Sequence, residues 1–123
     1  MTETKVKKIL VDVLQVEVED VTIESNLVDD LAAESIDFVD IMYNIEQEFG
    51  IKINPGDIFP TFLREVQIFN DDNKMKDEVR NRLIKDYSHF DNNTLEMFQS
   101  TKNPNVFFTV KGIVNFIEKK IAG

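Results

Sequence analysis

Four stretches of this chain repeat apolar residues at the helical period, and that pattern confines the fold to packed helices. Val6, Ile9, Leu10, Val13 and Leu14 follow i, i+3, i+4, i+7, i+8, a single stripe along one helix face. Met75, Val79, Leu83 and Tyr87 make a second stripe over about Lys74 to Ser88, with Ile84 beside it. Val110, Ile113, Val114, Ile117 and Ile121 make a third, flanked by Phe116 and led by Thr109 as an N-cap. The remaining helix runs from Ser35 to a C-capping Gly50. It carries Phe38, Ile41, Met42, Ile45 and Phe49 on one side, the core stripe. Ile36, Val39 and Tyr43 form a second set roughly a third of a turn away. That second set fits either a buried central helix or a small apolar strip edged by carboxylates that docks a partner.

The connections carry weaker signals. Val16 to Val21 alternates like a strand but has no partner strand, so residues 17–34 are read as a long ordered loop pinned by Val18, Val21, Ile23, Leu27 and Leu31. Asn54, Pro55 and Gly56 mark a turn. Apolar, irregular sequence follows, with a short helical turn expected at Glu65 to Phe69. Asn70 to Asn73 breaks the chain and caps the stretch after it. Thr94 to Gln99 reads as one more short helix, with Leu95, Met97 and Phe98 as its apolar contacts. The expectation is an all-α fold, one domain over residues 1–123.

The net charge of −9, from 23 acidic and 14 basic side chains, repels nucleic acid and anionic headgroups and attracts basic protein surfaces. There is no cysteine, which removes disulfides, a thiolate nucleophile and Cys-based metal sites. The N-terminal residues lack a signal-like apolar run, and no stretch approaches membrane-spanning length. A cytoplasmic protein without membrane insertion is expected. Asp71-Asp72-Asn73 resembles the start of a calcium loop, but that loop then needs an oxygen ligand at Met75 and glycine at Lys76. No metal site is predicted. Asn92-Asn93-Thr94 matches a glycosylation sequon, but nothing in the sequence points to secretion. His89 is the only histidine and no nucleophile elbow is present. No catalytic residues are assigned, and His89 is read as a surface residue at a helix end.

One hydroxyl stands out. Ser35 lies in Asp30-Leu31-Ala32-Ala33-Glu34-Ser35-Ile36-Asp37, where an acidic loop enters a patterned helix. Unpaired backbone N–H groups at a helix start, with the positive end of the dipole, favour an attached phosphate. The plain alternative is an N-cap serine. The segment from Leu27-Val28-Asp29-Asp30-Leu31 through Ser35-Ile36-Asp37 to Glu46-Gln47-Glu48-Phe49-Gly50-Ile51-Lys52-Ile53 resembles the core motif of the acyl carrier proteins. Phe108-Thr109-Val110-Lys111-Gly112-Ile113-Val114-Asn115-Phe116-Ile117 is similar to the family's closing helix. The chain departs from the family at three places. Glu34 stands where Asp is usual before the serine, and Ile36 where Leu follows it. Ala32 stands where Gly is frequent. Residues from about 60 to 105 have no counterpart in ordinary carriers.

The resemblance implies a four-helix bundle with helices inserted between helix two and the last helix. It implies a protein that is not itself an enzyme. A phosphopantetheinyl transferase, using coenzyme A and Mg²⁺, would attach 4′-phosphopantetheine at Ser35, and acyl groups would ride on the arm's thiol as thioesters. Glu34, Ile36, Asp37, Val39, Asp40, Tyr43 and Glu46 would dock partners: the transferase, acyl-loading enzymes, ketosynthases and acyltransferases. Phe38, Met42, Ile45 and Phe49 would line a slot sheltering the acyl chain, or simply pack. A monomer is expected. Carriers with enlarged middle regions resemble this design, and some serve lipid A. A specialised lipid pathway such as lipid A/lipopolysaccharide acylation is therefore favoured over general fatty acid biosynthesis. A polyketide or peptide-synthetase carrier, or a helical interaction module without the arm, are the alternatives.

Overall fold

The computed structural model describes residues 2–54 and 56–122. Their regular structure is helical: α1 (Thr2–Leu14), α2 (Ser35–Phe49), α3 (Asp77–Asp86), α4 (Asn92–Thr101) and α5 (Val110–Ala122), with three short 3₁₀ turns. α1 packs against both α2 and α5. Val6 and Leu10 of α1, Ile41 and Ile45 of α2, and Val110, Ile113, Val114 and Ile117 of α5 are buried together. The same apolar cluster takes in Ile58, Phe62, Leu63, Met75, Val79, Leu83, Leu95, Phe98 and Phe107. Residues 60–105 therefore share the interior of the helices before and after them.

Local chemistry fixes the helix ends. Gly50 closes α2 at φ +63, and its N–H donates to the Glu46 carbonyl at 3.0 Å. The Asp91 carboxylate accepts from the Thr94 N–H at 2.9 Å and opens α4. Thr109 Oγ1 accepts from the Gly112 N–H at 3.0 Å, the expected cap of α5.

The loop over 17–34 is ordered by its bonds to the start of α5. Leu27 N–H donates to the Phe108 carbonyl at 2.7 Å, Val110 N–H to Ser25 at 3.1 Å and Lys111 N–H to Ile23 at 3.1 Å. Asn26 Nδ2 reaches the Asn105 carbonyl at 2.7 Å. Val21, Leu27 and Leu31 pin the loop as expected, but Val18 does not: it lies in a 3₁₀ turn and is exposed.

Several expectations are corrected. The third helix begins at Asp77 rather than Lys74, because Met75 is extended and bridges to Phe69 across the Asn70–Asn73 turn. Gln99 holds that geometry, its Oε1 accepting from Met75 N–H at 2.8 Å and its Nε2 donating to the Asn73 carbonyl at 2.9 Å. The short turn lies at Thr61–Arg64, not Glu65 to Phe69. In α4, Leu95 and Phe98 are buried while Met97 faces outward, and Ile121 of α5 is also exposed.

His89 is the sharpest correction, being buried rather than superficial. Its Nε2 lies 2.7 Å from the Ile58 carbonyl, which can only accept, so Nε2 carries the proton. Phe90 and Phe116 flank the ring. Burial pushes its pKa below the usual 6.5; the Ile58 hydrogen bond opposes that shift, and the Lys119 charge adds to it. The unfolded chain then binds a proton before the folded one does. Stability is complete above about pH 6.5 and falls as the pH drops towards the folded-state pKa, by at most ~1.4 kcal/mol per pH unit for one site. Urea midpoints measured between pH 7 and pH 5 should fall, and His89→Gln should flatten that slope. Asp91, whose carboxyl is held below 3.8 chiefly by the Thr94 N–H, titrates in a separate, more acidic window.

Candidate functional site

Ser35 is the first residue of α2, one position inside the cap. Glu34 holds the N-cap position in extended backbone at φ −106 and ψ 170. Asp37 Oδ2 accepts from the Glu34 N–H at 2.8 Å, and the Asp37 N–H donates to the Glu34 carbonyl at 2.9 Å. The N-cap reading of Ser35 is therefore set aside, since the helix start is secured without its hydroxyl. Ser35 is exposed, and its Oγ makes no hydrogen bond among the described residues. The amides of Ser35 and Ile36 precede any carbonyl that α2 could offer them. An exposed, uncommitted hydroxyl beside unpaired N–H donors fits a phosphodiester at this position.

The loop aims that hydroxyl outward. Leu31 and Ala33 are buried immediately before it, and Ala33 N–H donates to the Leu27 carbonyl at 2.8 Å. Between them Ala32 sits at φ +56, a left-handed conformation that glycine adopts without the Cβ penalty. The departure from the usual Gly at this position therefore keeps the geometry at some cost in strain.

The second apolar set of α2 is a surface strip. Ile36, Val39 and Tyr43 are 72%, 68% and 60% exposed, at i, i+3 and i+7. Glu34 and Asp40 are exposed beside it and Asp37 is half-buried. From Lys8 to Lys52 no lysine, arginine or histidine intervenes, so this whole face is anionic. Glu46 stands apart from the other expected docking residues, because its Oε2 accepts from the Ile53 N–H at 2.8 Å and braces the chain after Gly50.

The four residues expected to line an acyl slot are packed. Ile45 is fully buried, and Phe38, Met42 and Phe49 are partly buried against the core. The Phe38 ring lies 5.6 Å from that of Phe59 and 5.4 Å from that of Phe108. An open cleft of about 620 Å³ lies elsewhere, lined in part by Gly56, Phe62, Arg82 and Tyr87. The roles of Phe59 and Phe108 were not read from sequence; the apolar runs that hold them were visible, but not their convergence on Phe38.

Residues 4–62 match the family described as a phosphopantetheine attachment site. Acyl carrier protein AcpXL of Mesorhizobium japonicum is 44% identical over 52 residues, which is 42% of this chain and 56% of that protein. The acyl carrier protein of Thermotoga maritima is 44% identical over 55 residues, 45% of this chain and 68% of its own length. That of Nitratidesulfovibrio vulgaris is 44% identical over 55 residues, 45% of this chain and 72% of its own length.

Proposed function

We propose, since the chain belongs to the acyl carrier protein family and carries that family's covalent 4′-phosphopantetheine, that the arm is attached at Ser35. The observation that carries this is the exposed Ser35 hydroxyl at the first position of α2, unbonded among the described residues while Glu34 and Asp37 secure the helix start. The arm's thiol supplies the chemistry, holding acyl groups as thioesters. The chain's own residues present and shelter. The helix N–H groups of Ser35 and Ile36 would hold the phosphate of the arm. Ile36, Val39 and Tyr43 offer apolar area to partner enzymes, and Glu34, Asp37 and Asp40 steer basic surfaces towards it. Phe38, Met42, Ile45 and Phe49 form the apolar side of α2 against which an acyl chain would lie.

We read residues 1–123 as one acyl-carrier domain in which about 60–105 is an insertion. Support comes from the apolar cluster common to both parts. An added segment built into the interior suits a dedicated cargo better than general fatty acid synthesis. We therefore place the protein in a specialised lipid pathway such as lipid A acylation, as a cytoplasmic monomer serving its own loading enzymes and acyltransferases. Acyl groups released from the protein of its own cells would identify the cargo, and only short, common fatty acids there would remove this assignment.

The attachment is tested with coenzyme A, Mg²⁺ and a phosphopantetheinyl transferase. One phosphopantetheinyl mass should be added and map to the peptide containing Ser35; a different site, or none with any competent transferase, refutes the proposal. The initial rate should fall as salt rises, because exposed charges are screened over about 8 Å at physiological ionic strength. A salt-independent rate would remove the acidic face from recognition.

A further inference from the structure

We propose that Tyr87 and His89, both in residues 60–105, set which acyl chains the protein shelters by pinning the segment that carries Phe59. The inference rests on Ser35 holding the arm. Phe38 lies three residues beyond Ser35, on the same side of α2 one turn further in. Its ring, with those of Phe59 and Phe108, forms a closed triad with pairwise centroid distances of 5.6, 5.4 and 5.1 Å. Phe38 and Phe108 are half-buried and Phe59 is buried, so the triad stands at the edge of the interior. Along the Phe38 stripe lie the fully buried Ile41 and Ile45. An alkyl chain tethered near Ser35 reaches that interior by this side only if a ring moves.

The three rings differ in how their backbones are held. Phe38 is carried by α2. Phe108 is tied by its carbonyl to Leu27 N–H at 2.7 Å. Phe59 belongs to no helix, and side chains from the far segment hold the residues before it. Tyr87 Oη donates to the Gly56 carbonyl at 2.6 Å, and His89 Nε2 donates to the Ile58 carbonyl at 2.7 Å. Gly56 sits at φ +84, and a Cβ there would lie 3.0 Å from Thr61 Oγ1, so the turn under Tyr87 is built for glycine. Phe59 is thus the ring whose freedom is set from outside the helices that surround Ser35. Tyr87 and His89 are positioning residues: they act on the acyl chain through Phe59.

The test uses holo-protein loaded with butyryl or myristoyl thioester, each confirmed by intact mass. Cleavage by hydroxylamine reads how well each thioester is sheltered. The parent should protect the myristoyl thioester better than the butyryl one. Tyr87→Phe keeps the ring stacked on Phe62 and removes one bond. It should change the ratio of the two cleavage rates by up to about fivefold, the population shift that one ordinary hydrogen bond controls. His89→Leu should act in the same direction, and His89→Gln, which retains a donor for Ile58, should restore the parent ratio. A merely structural role would lower stability equally for both loads and leave the ratio fixed. An unchanged ratio in loaded Tyr87→Phe and His89→Leu overturns the inference while leaving Ser35 in place. Equal protection of both chains in the parent also overturns it. A parent without the arm at Ser35 defeats the attachment first, and this inference with it.

Discussion

A Ser35→Ala protein is expected to keep its unmodified mass under conditions that convert the parent completely, and to unfold within about 0.5 kcal/mol of it. The two halves of that result separate chemistry from structure. The chemical effect is all-or-none because one oxygen forms the bond. The structural effect is small because Ser35 is exposed and its hydroxyl has no partner among the described residues. Alanine is also a good helix former at that position. The cap is carried instead by Asp37, whose Oδ2 accepts from Glu34 N–H at 2.8 Å. Asp37→Ala should therefore invert the pattern, losing about 1 kcal/mol of stability while still taking the arm on Ser35, at a lower initial rate because one steering carboxylate is gone. Intact mass and urea denaturation read both variants. Mass addition to Ser35→Ala would place the arm on another residue and end the assignment.

The bundle was legible because its helices are amphipathic over several turns. The stripes of α1, α2 and α5 face the core where their spacing put them, Ile121 at the end of α5 excepted, and Gly50 and Thr109 end and begin helices as their chemistry requires. The start of α2 at Ser35 was legible because an acidic loop runs there into a patterned helix. Residues 60–105 were less so. Their order depends on side chains bonding distant backbone, such as Gln99 to Met75, Tyr87 to Gly56 and His89 to Ile58, and no local period records such pairings. The extended backbone at Met75 competes with a good helical stripe and wins through Gln99 and the bridge to Phe69. His89 was misplaced for the same reason. A lone histidine after a charged helix looks superficial until the carbonyl that receives its proton, and the rings that cover it, are known.

Phe107→Ala should remove about 3–5 kcal/mol of stability, the usual cost of truncating a buried phenylalanine, and should do so in a single transition. Phe107 is fully buried. It lies at the end of the 3₁₀ turn Pro104–Phe107 that leads towards α5. Its ring meets Phe98 of α4 edge-on at 5.1 Å and Phe90 at 5.0 Å. It therefore joins the segment over 60–105 to the closing helix. If both parts share one core, the lost packing destabilises them together, and a domain at the low end of ordinary stability, about 5 kcal/mol, is left marginal. Far-UV circular dichroism and hydrogen exchange resolved by segment should then report the same midpoint. If residues 60–105 form a satellite cluster, exchange there should rise first while α1, α2 and α5 remain protected, and the single-domain reading fails. Met97→Ala supplies the control, because Met97 is exposed on the same helix as Phe98 and its truncation should change stability by no more than about 0.5 kcal/mol. A comparable loss from both variants would mean that burial at Phe107 is not what joins the two parts.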